Sequence, residues 1–484
     1  MSNAVDGLTP PLVWKHFAAL SRIPRCSKHE ENAAQFVLDT ARKLGLSARQ
    51  DRSGNVVVGK PATPGRERAK RVCLQGHLDM VCEKNAGKAH DFGKDPIELV
   101  RKGNFLMANG TTLGADNGIA VAANLAIMED RTLEHGPLEF LFTIDEETGL
   151  TGANHLEPGF LESKTLMNLD SEEEGALYVG CSGGKDTTGT WRVEFEAAPA
   201  GASAIEVRVS GLKGGHSGLE IDKGRGNALK ILNRVLIALG DEGARLARIE
   251  GGNKRNAIPR EAQAVMYVPR AKSAGAQALV SRWNDALRAE LKSVEPDLQV
   301  TASEPKGRKG SVMKKKFQKH ITSVIAALPH GVTKMSADIS RLVETSTNVA
   351  MIATAGRKVT LATSQRSSVA SEIEEIARTV RTIMEMGGAE VTQGDGYPGW
   401  KPDMASPILK LAIATYEQLY KKTPEIKAVH AGLECGIIGE KYPGMDMVSF
   451  GPTLEGVHSP DEKIHIDTVP RFWAFLVAIL KNVS

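Results

Sequence analysis

Pro137–Gly149, PLEFLFTIDEETG, is an apolar β-type run that ends in three acids, Asp145, Glu146 and Glu147. Leu, Phe, Ile and Thr bounded by Pro and Gly read as a buried strand, so the acids stand at its carboxyl end. Carboxylates crowded there repel one another and lose hydration, a cost that a bound cation offsets. A solvated loop with surface acids is the simpler alternative for a single Glu-Glu pair.

Working outward, the same arrangement recurs. Val72–Gln75 reads as a buried strand with His77 and Asp79 just past its end. Asp116 lies in the Gly-rich stretch GTTLGADNG, ahead of an Ala-rich helix beginning near Gly118. Leu166–Leu169 reads as another strand, with Asp170 at its end, and MDMVSF leads into GPTLEGVHSPDE, which carries His458. Strands that alternate with helices and end in functional residues predict an α/β domain, a mostly parallel sheet with flanking helices. Ligands of such sheets bind beyond the carboxyl ends of the strands, where these residues would meet.

Between residues 186 and 395 the texture changes to two consecutive units of similar build, helices set against antiparallel strands. An α+β domain of two similar halves is therefore inserted in the α/β domain, which comprises residues 1–185 and 396–484. Nearer the N-terminus, Pro11–Leu20 reads as a helix, Ser27 with Glu30 has capping-box spacing, and Gly45 suits a helix stop. The stretch leading to Gly110 reads as a long polar loop.

With 484 residues, 41% hydrophobic and 25% charged, the chain has an ordinary globular composition that argues against disorder. A net charge of +3 makes no case for nucleic acid, and the run Lys306–Lys319 reads as a solvated linker entering a helix. No apolar stretch is long enough for a membrane span. Five scattered cysteines without CxxC spacing suit a reducing compartment better than a disulfide framework. The opening MSNAVDGLTPPLVWKHFAAL lacks the basic and apolar regions of a secretory signal, so the expected location is cytoplasmic.

Imidazoles and carboxylates without cysteine suit zinc, cobalt or manganese, and two metals need a shared carboxylate. Asp79, two residues after His77, is placed to accept the second imidazole N–H. An adjacent Glu-Glu pair can divide its work, one as metal ligand and one as general base. HExxH, GxSxG and P-loop motifs are absent: His29-Glu30-Glu31 lacks a second histidine, His216-Ser217 misplaces the serine, and GCSGGK is one residue short.

The motifs QGHLDMV, GTTLGADNG, DEETG, NLDSEEEG, LKGGHSG, NKRNAIPREA, YPGWKPD, HAGLECG and GPTLEGVHSPDE occur in order. In them the chain resembles the co-catalytic zinc peptidases, which include aminoacylase, glutamate carboxypeptidase and bacterial dipeptidases. The resemblance implies two divalent metals, zinc foremost, with Asp116 bridging, His77 and Asp170 completing one site and Glu147 and His458 the other. It makes Glu146 the general base, Asp79 the residue that orients His77, and the inserted domain a lid. His216 of that lid would polarise the scissile carbonyl, while Asn256 and Arg366 would hold the substrate carboxylate, with Gly432 admitting close approach. The implied substrates are dipeptides; an N-acyl amino acid deacylase and a catalytically silent binding protein are the alternatives, and a homodimer is compatible with the lid.

Overall fold

A computed structural model describes residues 4–305 and 310–484, so positions 306–309 of the basic run lie outside the described residues. The chain separates into two compact units. One comprises the chain through Gly180 together with Pro402–Ala428 and Leu433–Ser484, the other Cys181–Lys401 with Val429–Gly432. The breaks fall outside the expected 185/186 and 395/396 because the flanking segments pair with each other. Cys181 bridges Trp400 and Gly184 bridges Tyr397, which draws both stretches into the second unit.

The first unit is built on an eight-stranded sheet. Its centre is four parallel strands in the order Leu138–Thr143, Val72–His77, Thr165–Asn168 and Asp446–Ser449. Every residue of the first two is buried, as suits parallel strands covered on both faces. The helix Ala115–Glu129 is buried through Met128, and its small residues let it lie close to the Val72–His77 strand. A Cβ at Gly76 would stand 2.5 Å from Asn117 Oδ1 and 2.9 Å from the Ala120 methyl, so the approach needs glycine there.

The stretch read as a polar loop before Gly110 contains two short strands, Leu99–Lys102 and Phe105–Ala108. They join Leu454–Glu455 and Lys463–His465 in a four-stranded sheet, burying Leu106 and Ile464. Leu99–Lys102 and Phe105–Ala108 form a local hairpin, and Phe105–Ala108 pairs in turn with Lys463–His465 far along the chain. Gly45 does end the Glu31–Leu44 helix, at φ 72°. The expected Ser27–Glu30 capping box is not formed: the Ser27 hydroxyl donates to Asp79, while Glu30 accepts from the backbone N–H groups of Lys28 and Asp145. Cys26 and Cys82 are joined as a disulfide, contrary to the expectation of a chain without a disulfide framework, whereas Cys73, Cys181 and Cys435 are buried and form no disulfide. Two cysteines so far apart in sequence carry no spacing signal of pairing.

The second unit holds a nine-stranded sheet with four long helices. One half runs strand Ser203–Ser210, helix Ala228–Asp241, strands Arg245–Gly251 and Ala262–Val268, helix Ser273–Glu290 and strand Gln299–Ser303. The other half has the same order: Gly183–Arg192, Lys315–Ala327, Val343–Ala355, Lys358–Ser367, Ala370–Met386 and Glu390–Gln393. The halves join where Arg245–Gly251 pairs with Val343–Ala355. Since Gly183–Arg192 precedes the whole of the first half in the chain, a reading in sequence order leaves the second half one strand short. Asn227 caps the Ala228–Asp241 helix by accepting the Leu229 and Lys230 N–H groups, and Leu232, Val235 and Leu236 of that helix belong to the core with Val207, Ile249 and Ala264.

Candidate metal centre

Four neighbouring parallel strands deliver their carboxyl ends to one place in the first unit. His77 closes its strand, Asp145–Glu147 follow Thr143, Asp170 follows Asn168, and the segment after Ser449 leads to His458. Asp116 enters from the start of the Ala115–Glu129 helix.

Asp116 is the centre of the geometry. Its Oδ1 lies 3.2 Å from His77 Nε2, and its Oδ2 lies 3.1 Å from His458 Nε2. Asp170 Oδ1 stands 3.4 Å from the same His77 nitrogen, and Glu147 Oε2 stands 2.9 Å from the same His458 nitrogen. Two of the three-residue groups that could hold a cation, His77–Asp116–Asp170 and Asp116–Glu147–His458, share one carboxylate, and Glu146 stands with His77 and Glu147 in a further one. Glu147 Oε1 is buried with no hydrogen-bond partner. A shared carboxylate between two imidazoles, an orphaned ligand oxygen and the absence of cysteine from the clusters fit a pair of borderline divalent cations such as zinc, cobalt or manganese.

Asp79 arranges this centre from behind. Fully buried, it places Oδ1 3.2 Å from His77 Nδ1 and accepts the Glu146 and Glu147 N–H groups at 3.0 and 3.2 Å. The Ser27 hydroxyl donates to its other oxygen at 2.8 Å. Asp145 turns away from the cluster, accepting from the hydroxyls of Thr148 and Thr151.

The electrostatics are those of a cluster that attracts positive charge. Burial pushes Glu146 well above the ordinary carboxyl range, reinforced by Asp170, Glu434 and Glu147, and it raises Asp170 to about 6. Hydrogen bonds to Asp116 and Glu147 raise His458 to about 11. Burial opposes charge on His77, yet Asp170, Asp116 and Asp79 together hold it well above the ordinary imidazole value. Despite its own burial, Asp79 is lowered to about 2 by His77.

His216, Asn256, Arg366 and Gly432 lie in the second unit. His216 Nδ1 accepts the N–H groups of Gly218 and Leu219 at 3.2 and 3.1 Å, which places the imidazole proton on Nε2. Burial, then the charge of Arg366, lowers this imidazole to about 4, so it is neutral near pH 7. Arg366 is buried and donates from Nη1 to the Tyr397 hydroxyl at 2.9 Å. A Cβ on Gly432 would meet the Tyr397 ring at 2.9 Å. Asn256 is exposed, and its carbonyl accepts the Ser217 N–H at 2.8 Å.

Sequence reasoning passed over Tyr397 within YPGWKPD and His430 within HAGLECG, where the motifs themselves were the available signal. His430 Nε2 lies 2.7 Å from the Ser346 hydroxyl. Glu462 closes the motif GPTLEGVHSPDE, so the same signal was available for it, whereas Arg25 lies in none of the quoted motifs.

Fold and cluster together define a metallopeptidase scaffold suited to two cations. The chain belongs to peptidase family M20/M25/M40, whose sequence profile matches residues 73–482. It is 42% identical over 482 residues to cytosol non-specific dipeptidase of Escherichia coli (strain K12), covering 99% of each chain. The crystal structure of aminoacylhistidine dipeptidase from Vibrio alginolyticus superposes with a TM-score of 0.92 at 42% identity, covering 100% of this chain and 98% of that one. Aminopeptidase PepT from Bacillus cereus ATCC 10987 shares the fold at a TM-score of 0.57 and 16% identity, over 98% and 99% of the two chains.

Proposed function

We propose that this protein is a two-metal dipeptidase that cleaves short substrates with a free amino group, aminoacyl-histidine dipeptides among them. The observation that carries the reading is Asp116, whose two oxygens face two imidazoles within clusters that are complete without Glu146. Two bound divalent cations, zinc foremost and cobalt or manganese as alternatives, would supply carbonyl polarisation and a lowered water pKa.

The chain's own groups perform the rest. Glu146 takes a proton from the attacking water as its oxygen bonds to the peptide carbonyl carbon, then passes that proton to the amine as the C–N bond breaks. The Nε2–H of His216 is a neutral donor for the developing oxyanion. Arg366, aligned by Tyr397, receives the substrate carboxylate together with Asn256, and Gly432 leaves room beside them. The matching E. coli protein is by name a cytosol dipeptidase, which supports a cytoplasmic location here. Among the described residues no helix is long and apolar enough to cross a membrane. A homodimer is compatible with this arrangement.

The deciding experiment is histidine release from a β-alanyl- or α-aminoacyl-histidine dipeptide by metal-loaded protein, beside chelated protein and the N-acetylated substrate. Chelator-sensitive cleavage of the free-amine dipeptide alone is expected. Cleavage of the acetylated compound alone would replace the reading with a deacylase.

A further inference from the structure

A carboxylate outside both metal clusters joins the two loops that supply Asp116 and His458. Glu462 is 2% exposed. Its Oε2 accepts the Leu113 and Gly114 N–H groups at 2.7 and 2.9 Å, and its Oε1 accepts those of Ala115 and Asp116 at 2.7 and 3.2 Å. These are the donors at the start of the Ala115–Glu129 helix, which has no side-chain cap of its own and departs from helical dihedrals at Asp116 and Asn117. A helix start leaves such N–H groups unsatisfied, and a carboxylate is their strongest acceptor. Here the acceptor arrives from the far end of the chain.

Glu462 shares a hairpin loop with His458. The strands Leu454–Glu455 and Lys463–His465 pair across that loop, Glu455 opposite Lys463. Inside it the Glu462 N–H donates to Ser459 O at 3.1 Å, and the Ser459 hydroxyl donates to Gly456 O at 2.7 Å. His458 itself sits in the left-handed region at φ 62°, a conformation that costs a non-glycine residue and needs its surroundings to hold it. Arg25, 2% exposed, works from the other side of the same turn. Its Nη1 donates to Leu78 O and Asp79 O at 2.9 Å each, and its Nη2 donates to Gly114 O at 2.5 Å.

We infer that Glu462 is a positioning residue for the cation held by Asp116, Glu147 and His458, fastening the His458 hairpin to the helix start that presents Asp116. The inference rests on the two-cation reading above, and it is selective between the two sites. In the His77–Asp116–Asp170 cluster His77 and Asp170 stand at strand ends and Arg25 holds the turn before the shared Asp116, so this cluster depends less on Glu462. The other cluster loses the anchor of its histidine.

The test is cobalt(II) titration of the apoprotein, followed by visible absorption and by calorimetry, for the wild type, Glu462→Gln, His458→Ala and the double variant. Two equivalents are expected in the wild type; fewer would overturn the two-cation reading itself. In Glu462→Gln one equivalent should bind as in the wild type and the other about 10–100-fold more weakly, the size usual for loss of a partner behind a metal ligand. The double variant should bind its remaining equivalent no more weakly than His458→Ala does, since both changes act on one site. Given two equivalents in the wild type, unchanged constants in Glu462→Gln, or equal weakening of both equivalents, overturns the inference. If the glutamine variant does not fold, Glu462→Asp, which leaves the charge one methylene short of the helix, carries the same selective expectation and is refuted by the same results.

Discussion

Replacing Glu146 by Gln and Asp116 by Ala should separate chemistry from metal binding. Each cluster offers three donors, and Asp116 is common to both. Asp116→Ala therefore takes one donor in three from each site and removes the carboxylate facing His77 Nε2 and His458 Nε2 at 3.2 and 3.1 Å. Metal content after gel filtration should fall from two equivalents to below one. Glu146→Gln leaves both clusters whole. It removes the proton acceptor, and general bases contribute about 10²–10⁴ in rate, or roughly 2.7–5.4 kcal/mol of barrier at 1.36 kcal/mol per tenfold. The same substitution removes a carboxyl whose charge is opposed by burial and by Asp170, Glu434 and Glu147, so the metal-free variant should melt higher than the metal-free wild type. The assays are elemental metal analysis, histidine release under saturating metal and thermal denaturation with chelator. Loss of metal from Glu146→Gln, or turnover within tenfold of wild type, would refute its assignment as the base. Two retained equivalents in Asp116→Ala would refute the bridge.

Metal loading near pH 8 should release protons, since imidazoles must be neutral to ligate: His458, raised to about 11, is protonated in the metal-free protein, and the surrounding carboxylates hold His77 well above the ordinary imidazole value. Release should grow toward pH 6 as Asp170, raised to about 6, adds its proton; calorimetry in buffers of different ionisation enthalpy counts them, and no release near pH 8 would contradict imidazole ligation. In the second unit burial lowers His430 to about 3 and His330 to about 4. A histidine whose folded value is depressed contributes stability that is complete above its unfolded value near 6.5 and is lost as pH falls below it, about 3 kcal/mol by pH 4.5 for buried His430. Melting temperature should therefore drop between pH 6.5 and 4.5, and drop less in His430→Gln; an equal drop would sink the assignment. The disulfide between Cys26 and Cys82 closes a loop of sequence separation 56. Chain entropy sets its contribution near an upper value of about 4 kcal/mol, so Cys82→Ser should lower the denaturation midpoint and make it insensitive to reductant.

Most of the candidate cluster was legible because its residues combine two signals that sequence preserves, an apolar strand and an acid or histidine beyond its end, whereas Asp116 stands at a helix start. The PLEFLFTIDEETG stretch shows both at once, and His77, Asp170 and His458 repeat the pattern. The duplicated build of the inserted unit was also visible, since amphipathic helices such as Ala228–Asp241 carry their period locally. What sequence order concealed was partnership at a distance. Gly183–Arg192 belongs beside strands more than a hundred residues later, and Phe105–Ala108 pairs with distant Lys463–His465 as well as with its neighbour Leu99–Lys102.

Ser27 and Glu30 show why motif reading fails where the site begins. A serine followed three residues on by glutamate has the chemistry of a helix cap because a hydroxyl and a carboxylate satisfy backbone and side-chain polar groups. The same chemistry serves wherever such groups are buried unpaired, and the turn at Asp145 and the carboxylate of Asp79 are such places. A local helix start exposes its N–H groups to water, which can satisfy them, whereas the Asp145 N–H lies beneath the cluster where water competes poorly. Burial therefore decides the partner, and burial is a property of the fold that the spacing of two residues does not encode. Glu462 follows the same logic in reverse: the Ala115–Glu129 helix start is buried, so its acceptor must come from the protein, and the hairpin bearing His458 supplies it. The residues of this candidate centre are thus held by carboxylates, Asp79 and Glu462, committed to backbone N–H groups, which fixes the cluster's shape through groups outside it.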